Sequence, residues 1–142
     1  MRGAFLAIAL ATGAGLAACA PVPPAESAAA QPGAAVVTLP AAELAALMAA
    51  GEVVLIDVRT PAEFAEARLP GALNAPLGTF DPASIPIEAE RETILYCGSS
   101  RRSGIAATQL SEYLGTEVRH LEGGIQAWNA AGLETISEAS AE

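Results

Sequence analysis

One cysteine, followed by small residues and two arginines, is the part of this chain best suited to chemistry. Cys97 ends the strand-forming run Thr93–Tyr96 and is followed by Gly98-Ser99-Ser100-Arg101-Arg102. The backbone N–H groups of such a loop, the N-terminus of the helix that follows and the guanidinium groups all favour the thiolate over the thiol. The pattern therefore predicts a nucleophilic Cys97. The alternative is a small buried hydrophobe at a strand end, which is common for a free cysteine.

The other cysteine closes an apolar leader. Residues 1–18 have a short positive start and an apolar stretch, which together are typical of a signal peptide. The run Leu16-Ala17-Ala18-Cys19 resembles the lipobox of bacterial lipoproteins and predicts lipidation of Cys19, with Ala20 favouring outer-membrane sorting. We therefore expect a lipid-anchored, periplasm-facing protein of a Gram-negative envelope. Cleavage after Ala20 and a retained anchor helix are the alternatives.

Composition and cysteine count narrow the function further. The 142-residue chain has a formal net charge of −9 and no lysine, and removal of residues 1–18 with Arg2 gives −10. Such an acidic chain argues against nucleic-acid binding and against charge-driven membrane binding. With Cys19 lipidated, Cys97 has no disulfide partner in the chain. An unpaired thiol in an oxidising compartment is unusual unless the thiol itself is needed.

The chain divides into an exported leader, a tether and one domain. Residues 19–35 are rich in Pro and Ala without an apolar period and predict an extended tether, whereas residues 134–142 predict a frayed polar tail. Between them, residues 36–133 alternate strand and helix patterns, which predicts an α/β domain with a mostly parallel sheet. Predicted strands are Val36–Leu39, Val53–Val58, Ala72–Ala75, Thr93–Tyr96 and Glu117–Leu121; predicted helices are 40–50, a short one from Thr60, 101–114 and a last one containing Trp128.

Two predicted strands end in residues that can do chemistry. Ligand sites of parallel sheets lie beyond the carboxyl ends of the strands, so Asp57 and Arg59 are expected near Cys97. The four-residue spacing of Arg59 and Glu63 predicts an ion pair that braces the loop, a structural role. His120 lies alone in a predicted strand, and a structural role is favoured for it as well.

Four motifs in order resemble a rhodanese domain over about Val36–Leu133. They are Leu55-Ile56-Asp57-Val58-Arg59-Thr60-Pro61-Ala62-Glu63-Phe64, Leu69-Pro70-Gly71-Ala72-Leu73-Asn74-Ala75-Pro76-Leu77, the Cys97 loop and Leu121-Glu122-Gly123-Gly124-Ile125-Gln126-Ala127-Trp128. The resemblance implies an open, mostly parallel five-stranded sheet with helices on both faces. It also implies sulfur transfer through a persulfide on the loop cysteine.

The resemblance assigns roles to individual residues. Cys97 is the implied nucleophile. The backbone N–H groups of Gly98 to Arg102 are implied to surround the terminal sulfur of the persulfide. Arg101 is expected to face solvent and to attract anionic donors. Ser99 or Ser100 hydrogen-bonds the persulfide or simply caps the helix. Gly123 and Gly124 let a second loop approach closely. Two departures stand out: Ser100 replaces a frequent glycine, at a cost of about 1 kcal/mol for a left-handed backbone, and Gly98 replaces a larger residue.

The sequence leaves three functions open. The first is a sulfurtransferase that takes sulfane sulfur from thiosulfate, a polysulfide or a persulfide and passes it to a thiol or another thiophilic acceptor. The second is a persulfide carrier or sulfur-binding module with little turnover. The third is a phosphatase or arsenate reductase on the same fold. It is disfavoured because the resemblance links a loop of six residues, Cys97 through Arg102, to sulfur, whereas phosphate-handling relatives carry a loop one residue longer and a tetrahedral oxyanion needs a wider cradle. No metal and no cofactor besides the covalent persulfide is expected.

Overall fold

Five parallel strands form one open sheet in the computed structural model, which describes residues 33–140. The leader, Cys19 and most of the tether lie outside these residues. The strand order is β1-β5-β4-β2-β3, so β4 lies at the centre. The strands are β1 (Ala35–Leu39), β2 (Val53–Asp57), β3 (Leu73–Asn74), β4 (Glu92–Tyr96) and β5 (Glu117–Leu121). The expected five-stranded parallel architecture is confirmed.

Local sequence signals set the ends of the helices. They are α1 (Ala41–Ala50), α2 (Pro61–Glu66), α3 (Arg101–Leu114) and α4 (Gly124–Ala130). Helix α1 ends at Gly51 in the left-handed conformation that glycine adopts without steric cost. Helix α2 begins with a capping box, in which the Thr60 hydroxyl accepts from the Glu63 N–H and the Glu63 carboxylate accepts from the Thr60 N–H.

The sheet buries both of its faces, which is why its inner strands are continuously apolar. Along β2, Leu55 packs into a cluster with Leu44 of α1 and Trp128 of α4. Its neighbours Val54 and Ile56 point the other way, into a cluster with Leu110 of α3. Because successive strand residues alternate between faces, α1 and α4 cover one face and α3 covers the other.

Two segments differ from expectation. Strand β3 has only two residues, and the loop after it contains two 3-10 turns, Leu77–Thr79 and Pro82–Ser84. The start of the supposed frayed tail is attached to the domain: Arg68 and Ile136 exchange backbone hydrogen bonds of 2.8 and 2.9 Å, and the Trp128 indole donates to the Glu134 carbonyl. A buried indole N–H needs such an acceptor, and polar composition alone did not reveal it.

Within residues 33–140, no helix combines the length and apolar character needed to cross a membrane.

Candidate active site

The reactive candidate lies at the end of the central strand. Cys97 directly follows β4, and α3 begins four residues later at Arg101. The cysteine is only 1 % exposed, and it packs on the α3 face of the sheet with Leu95. The β4–α3 loop is therefore a tight turn wrapped around a sulfur atom, at the sheet edge where parallel folds bind ligands.

Four hydrogen-bond donors converge on that sulfur. They are the hydroxyl and backbone N–H of Ser103 and the backbone N–H groups of Ser99 and Arg102. Burial alone raises the pKa of the Cys97 thiol, but these hydrogen bonds lower it more, so the net pKa lies below its ordinary value. The Ser103 contributions were missed from the sequence because Ser103 follows the two arginines, one residue beyond the predicted cradle.

Helix α4 holds the loop in this orientation. The Ile125 N–H donates to the Cys97 carbonyl at 2.9 Å, and the Gln126 N–H donates to the Gly98 carbonyl at 3.2 Å. In a trans peptide the carbonyl and the next N–H point in opposite directions. The Gly98 carbonyl turned towards α4 therefore directs the Ser99 N–H towards the sulfur.

The contact between α4 and the loop depends on Gly124. Its φ is +58°, and a Cβ at this position would lie 2.3 Å from the Cys97 carbonyl oxygen and 2.6 Å from the Gly98 carbonyl. Only glycine fits such an approach. This agrees with the close approach expected for Gly124, whereas a Cβ on Gly123 would instead meet Ala127 of α4 at 2.6 Å.

Ser100 takes a role that the sequence did not indicate. Its φ is +87°, so the loop keeps the left-handed turn despite the serine. The Ser100 hydroxyl donates to the Leu121 carbonyl at 3.1 Å and accepts from the Gly123 N–H at 2.6 Å. The side chain thus ties the loop to the β5–α4 turn and makes no helix-cap hydrogen bond. The Ser99 side chain faces solvent.

The prediction of an ion pair between Arg59 and Glu63 is wrong. Glu63 instead binds Arg102 through two hydrogen bonds of 2.9 and 2.8 Å, so α2 is joined to the cysteine loop. The Arg102 guanidinium, with the Thr60 bonds, lowers the pKa of Glu63 to about 2 against the penalty of burial. A spacing of four residues did not bring Arg59 to Glu63, because Arg59 precedes the helix and turns inward.

Arg59 forms a buried pair with Asp57. Its guanidinium donates to both Asp57 carboxylate oxygens and, at 2.6 Å, to the Ala67 carbonyl. It also lies 5.6 Å from the centre of the Tyr96 ring. Asp57 and Arg59 therefore brace the β2–α2 connection beside the cysteine loop. A structural role is what the sequence predicts for Arg59, although its partner is Asp57 and not Glu63.

Charge at the loop mouth comes from two arginines. Arg101 is exposed and makes no ion pair with another residue of segment 33–140, whereas Arg102 is neutralised by Glu63. Gly98 lies against Arg102, since a Cβ there would be 3.3 Å from its Nη2. Among the described residues, no group of three or more His, Cys, Asp or Glu side chains is placed to hold a metal ion.

Comparisons with known proteins agree on one family. The profile described as Rhodanese-like domain matches residues 40–131. A sulfurtransferase of Allochromatium vinosum is 36% identical over 86 residues, covering 61% of this chain and 80% of that protein. The human thiosulfate:glutathione sulfurtransferase is 34% identical over 111 residues, covering 68% of this chain and 94% of that protein.

Other relatives extend beyond the matched region or share mainly the fold. An uncharacterised protein of Synechocystis sp. is 42% identical over 89 residues, and the match spans 63% of this chain but only 50% of that protein. The solution structure of the rhodanese-like domain of an Anabaena protein superposes with a TM-score of 0.63 at 25% identity, covering 74% of this chain and 83% of that one. The chain belongs to the rhodanese-like domain family.

Proposed function

We propose that this protein is a sulfurtransferase that carries a sulfane sulfur as a persulfide on Cys97, from thiosulfate, a polysulfide or a persulfide to a thiophilic acceptor. Sulfurtransferases among its relatives support the general role. The observation that carries the specific proposal is a buried cysteine sulfur surrounded by three backbone N–H groups and one hydroxyl.

The loading step breaks one sulfur–sulfur bond and forms another. The Cys97 thiolate attacks the outer sulfur of thiosulfate, and sulfite leaves with the electron pair of the old bond. A cysteine persulfide anion remains, so both charge and sulfur are conserved. In the second step an acceptor thiolate attacks the terminal sulfur, and the Cys97 thiolate leaves with the bonding pair.

The fixed dipoles of the backbone N–H groups suit this chemistry because the Cys97 thiolate and the Cys97 persulfide are both anions. Backbone N–H groups directed at one point stabilise negative charge without reorganising during the reaction. The hydrogen bonds that lower the pKa of Cys97 also supply the nucleophile as a thiolate. The loading step requires no proton transfer, so a general base is not needed at the sulfur.

Burial restricts what can reach the sulfur. With Cys97 1% exposed, the attacked atom of a donor must be terminal and slender, as the outer sulfur of thiosulfate or of a persulfide is. The exposed guanidinium of Arg101 offers these anions a local positive charge on an otherwise acidic chain.

Steady-state kinetics tests the enzymatic role. We expect the full-length chain to produce thiocyanate from thiosulfate and cyanide, and to pass sulfur to small thiols, with both activities abolished by Cys97→Ser. Persulfide formation with turnover at background would instead identify a carrier. If no sulfur donor loads Cys97, sulfur transfer is excluded.

We further propose that the domain works at the periplasmic side of the outer membrane, anchored through lipidated Cys19. The leader and lipobox pattern of the sequence support this location, and two acyl chains give stable anchoring where one is marginal. Fractionation of cells expressing the wild type and Cys19→Ala tests it. Membrane association that is unaffected by Cys19→Ala would contradict the proposal.

A further inference from the structure

Ser103 is a buried junction between the reactive sulfur and the single histidine. Its hydroxyl donates to the Ser100 carbonyl oxygen at 3.0 Å, and its oxygen lies 3.0 Å from His120 Nδ1. The same hydroxyl is close enough to Cys97 to lower the pKa of the thiol by hydrogen bonding. Ser103 is 0% and His120 6% exposed. The three side chains therefore form a continuous chain from the sulfur to β5, enclosed between α3 and the sheet.

The hydroxyl proton of Ser103 can be donated to only one of these acceptors at a time. A serine hydroxyl donates once and accepts through two lone pairs. The Ser100 carbonyl accepts from the Ser103 hydroxyl and also from the Gly104 N–H at 2.9 Å, so it keeps a hydrogen-bond donor if the Ser103 hydroxyl turns to another acceptor. The Cys97 thiolate and an unprotonated His120 Nδ1 are both pure acceptors, and they would compete for the same hydroxyl proton.

His120 no longer competes for the hydroxyl proton if it carries its own proton on Nδ1. That N–H then donates to the Ser103 oxygen, and the hydroxyl proton is free for the sulfur. We propose that His120 is a positioning residue for Cys97, which presents Nδ1–H to Ser103 and thereby commits the Ser103 proton to the sulfur. The inference rests on the proposed function, since it concerns the thiolate and persulfide of that site.

The surroundings of the imidazole fit this assignment. Burial lowers the pKa of His120, which favours the neutral ring, and Nδ1–H is present both in this tautomer and in the imidazolium. The Cε1–Nε2 edge passes over Gly104, where a Cβ would be 3.5 and 3.7 Å away. The hydrogen bond to the sulfur is therefore retained whether or not Nε2 is protonated.

The other charged side chains near the sulfur lie on α2, on α3, on β5 and at the end of β2, and most of them form ion pairs. Helix α3 contributes Arg101 and Arg102, and α2 contributes Glu63, which is paired with Arg102. Asp57 and Arg59 neutralise each other after β2. On β5, Arg119 points to the opposite face and pairs with Glu43 and Glu92. Substitutions at His120 leave all of these groups in place.

Nitrogen NMR reads the tautomer directly, because the chain contains one histidine. With ¹⁵N-labelled full-length protein at neutral pH, we expect a protonated, pyrrole-type Nδ1 and a pyridine-type Nε2. A pyridine-type Nδ1 with the proton on Nε2 would overturn the proposal. This measurement uses the wild type, so it does not depend on the folding of any variant.

Alkylation of Cys97 against pH tests the consequence. In a Cys19→Ala background Cys97 is the only thiol. We expect Ser103→Ala to raise the alkylation midpoint by about one pH unit, a tenfold loss of thiolate below it. His120→Leu should raise it by less, because the Ser103 oxygen loses the N–H that fixes it and the hydroxyl can then turn to the Ser100 carbonyl. His120→Asn, which keeps an N–H donor near the Nδ1 position, should restore most of the shift. Ser111→Ala, which removes a hydroxyl that is 2% exposed and bonded to Thr108 on the same helix, should leave the midpoint unchanged.

The outcomes separate this inference from the proposed function. A folded His120→Leu that titrates like the wild type, or an Asn variant no better than Leu, would refute the role of His120. If the midpoints shift as expected while no donor loads sulfur onto the wild type, sulfur transfer fails and the positioning role stands.

Discussion

Glu63 and Arg102 are 39 residues apart in sequence and form a two-point ion pair across the site. Glu63 is fixed at the start of α2 by its capping box with Thr60. Arg102 contributes its backbone N–H to the sulfur of Cys97. The pair therefore couples the geometry of a helix cap to the shape of the sulfur-binding loop.

Removing the Arg102 side chain should weaken sulfur transfer without abolishing it. The backbone N–H remains in Arg102→Ala, but a charge-assisted contact of about 1.5–3 kcal/mol is lost and Glu63 is left unpaired. We expect kcat/KM for thiosulfate to fall by about 10- to 100-fold. Arg102→Lys should recover only part of this, because an ammonium cannot reproduce the two-point contact.

The double variant tests the pairing itself. In Arg102→Ala the unpaired Glu63 carboxylate repels anionic donors, so adding Glu63→Gln should restore part of the lost kcat/KM. Strictly additive losses in the double variant would show that the two residues act independently.

Acid should remove the stabilising contribution of Glu63. Its pKa falls from an ordinary value of 4.5 to about 2 on folding, chiefly through Arg102. A depressed carboxyl pKa stabilises the folded state fully above 4.5, and this stabilisation is lost as the pH falls towards 2. The difference in unfolding free energy between the wild type and Glu63→Gln, measured with denaturant, should be largest near pH 6, fall by more than half by pH 3 and be mostly lost by pH 2.

A control within the same helix distinguishes the ion pair from a general effect of charge. Glu66 ends α2 and makes no ion pair within residues 33–140. Glu66→Gln should therefore lower the unfolding free energy at pH 6 much less than Glu63→Gln does. An equal loss for the two variants at pH 6 would contradict the interpretation.

Gly124→Ala adds only one methyl group, but it should disrupt the cysteine loop as well as lower the stability of the fold. The new Cβ would strike the Cys97 carbonyl at 2.3 Å, so the loop must move. Gly132 has a similar φ of +71° and open space around it, so Gly132→Ala carries only the left-handed backbone cost of about 1–2 kcal/mol. We expect Gly124→Ala to lose more stability and to lose sulfur loading, and Gly132→Ala to keep loading. Equal effects on loading would argue against the close approach.

Most of the architecture could be predicted from local patterns, whereas the partners of the charged side chains could not. Helix α3 and strand β5 were predicted with their observed bounds, because apolar periodicity and glycine stops are local signals. The Arg102–Glu63 pair, the Ser100 bridge to Gly123 and the Ser103–His120 contact all join segments distant in sequence. They depend on the strand order, which places β5 and β2 on either side of β4, and residue spacing carries no such information.

The thiolate of Cys97 should be populated below the usual pKa of about 8.5 for a free thiol. Burial opposes this shift, but the bonds from Ser103, Ser99 and Arg102 outweigh it. Because the pKa is lower in the folded state, the associated stabilisation is present above the unfolded-state value and is lost as the pH falls through the folded-state value. Alkylation rate against pH in the Cys19→Ala background measures the midpoint. A midpoint at or above that of a free thiol would contradict an activated site.

Intact mass after exposure to sulfur donors tests the central claim most directly. Full-length Cys19→Ala protein, treated with thiosulfate or polysulfide and freed of excess donor, should gain the mass of one sulfur atom. The gain should map to Cys97, disappear on adding a thiol acceptor, and be absent from Cys97→Ser with unchanged folding. No added sulfur from either donor, or an equal gain in the folded Cys97→Ser variant, would contradict the account.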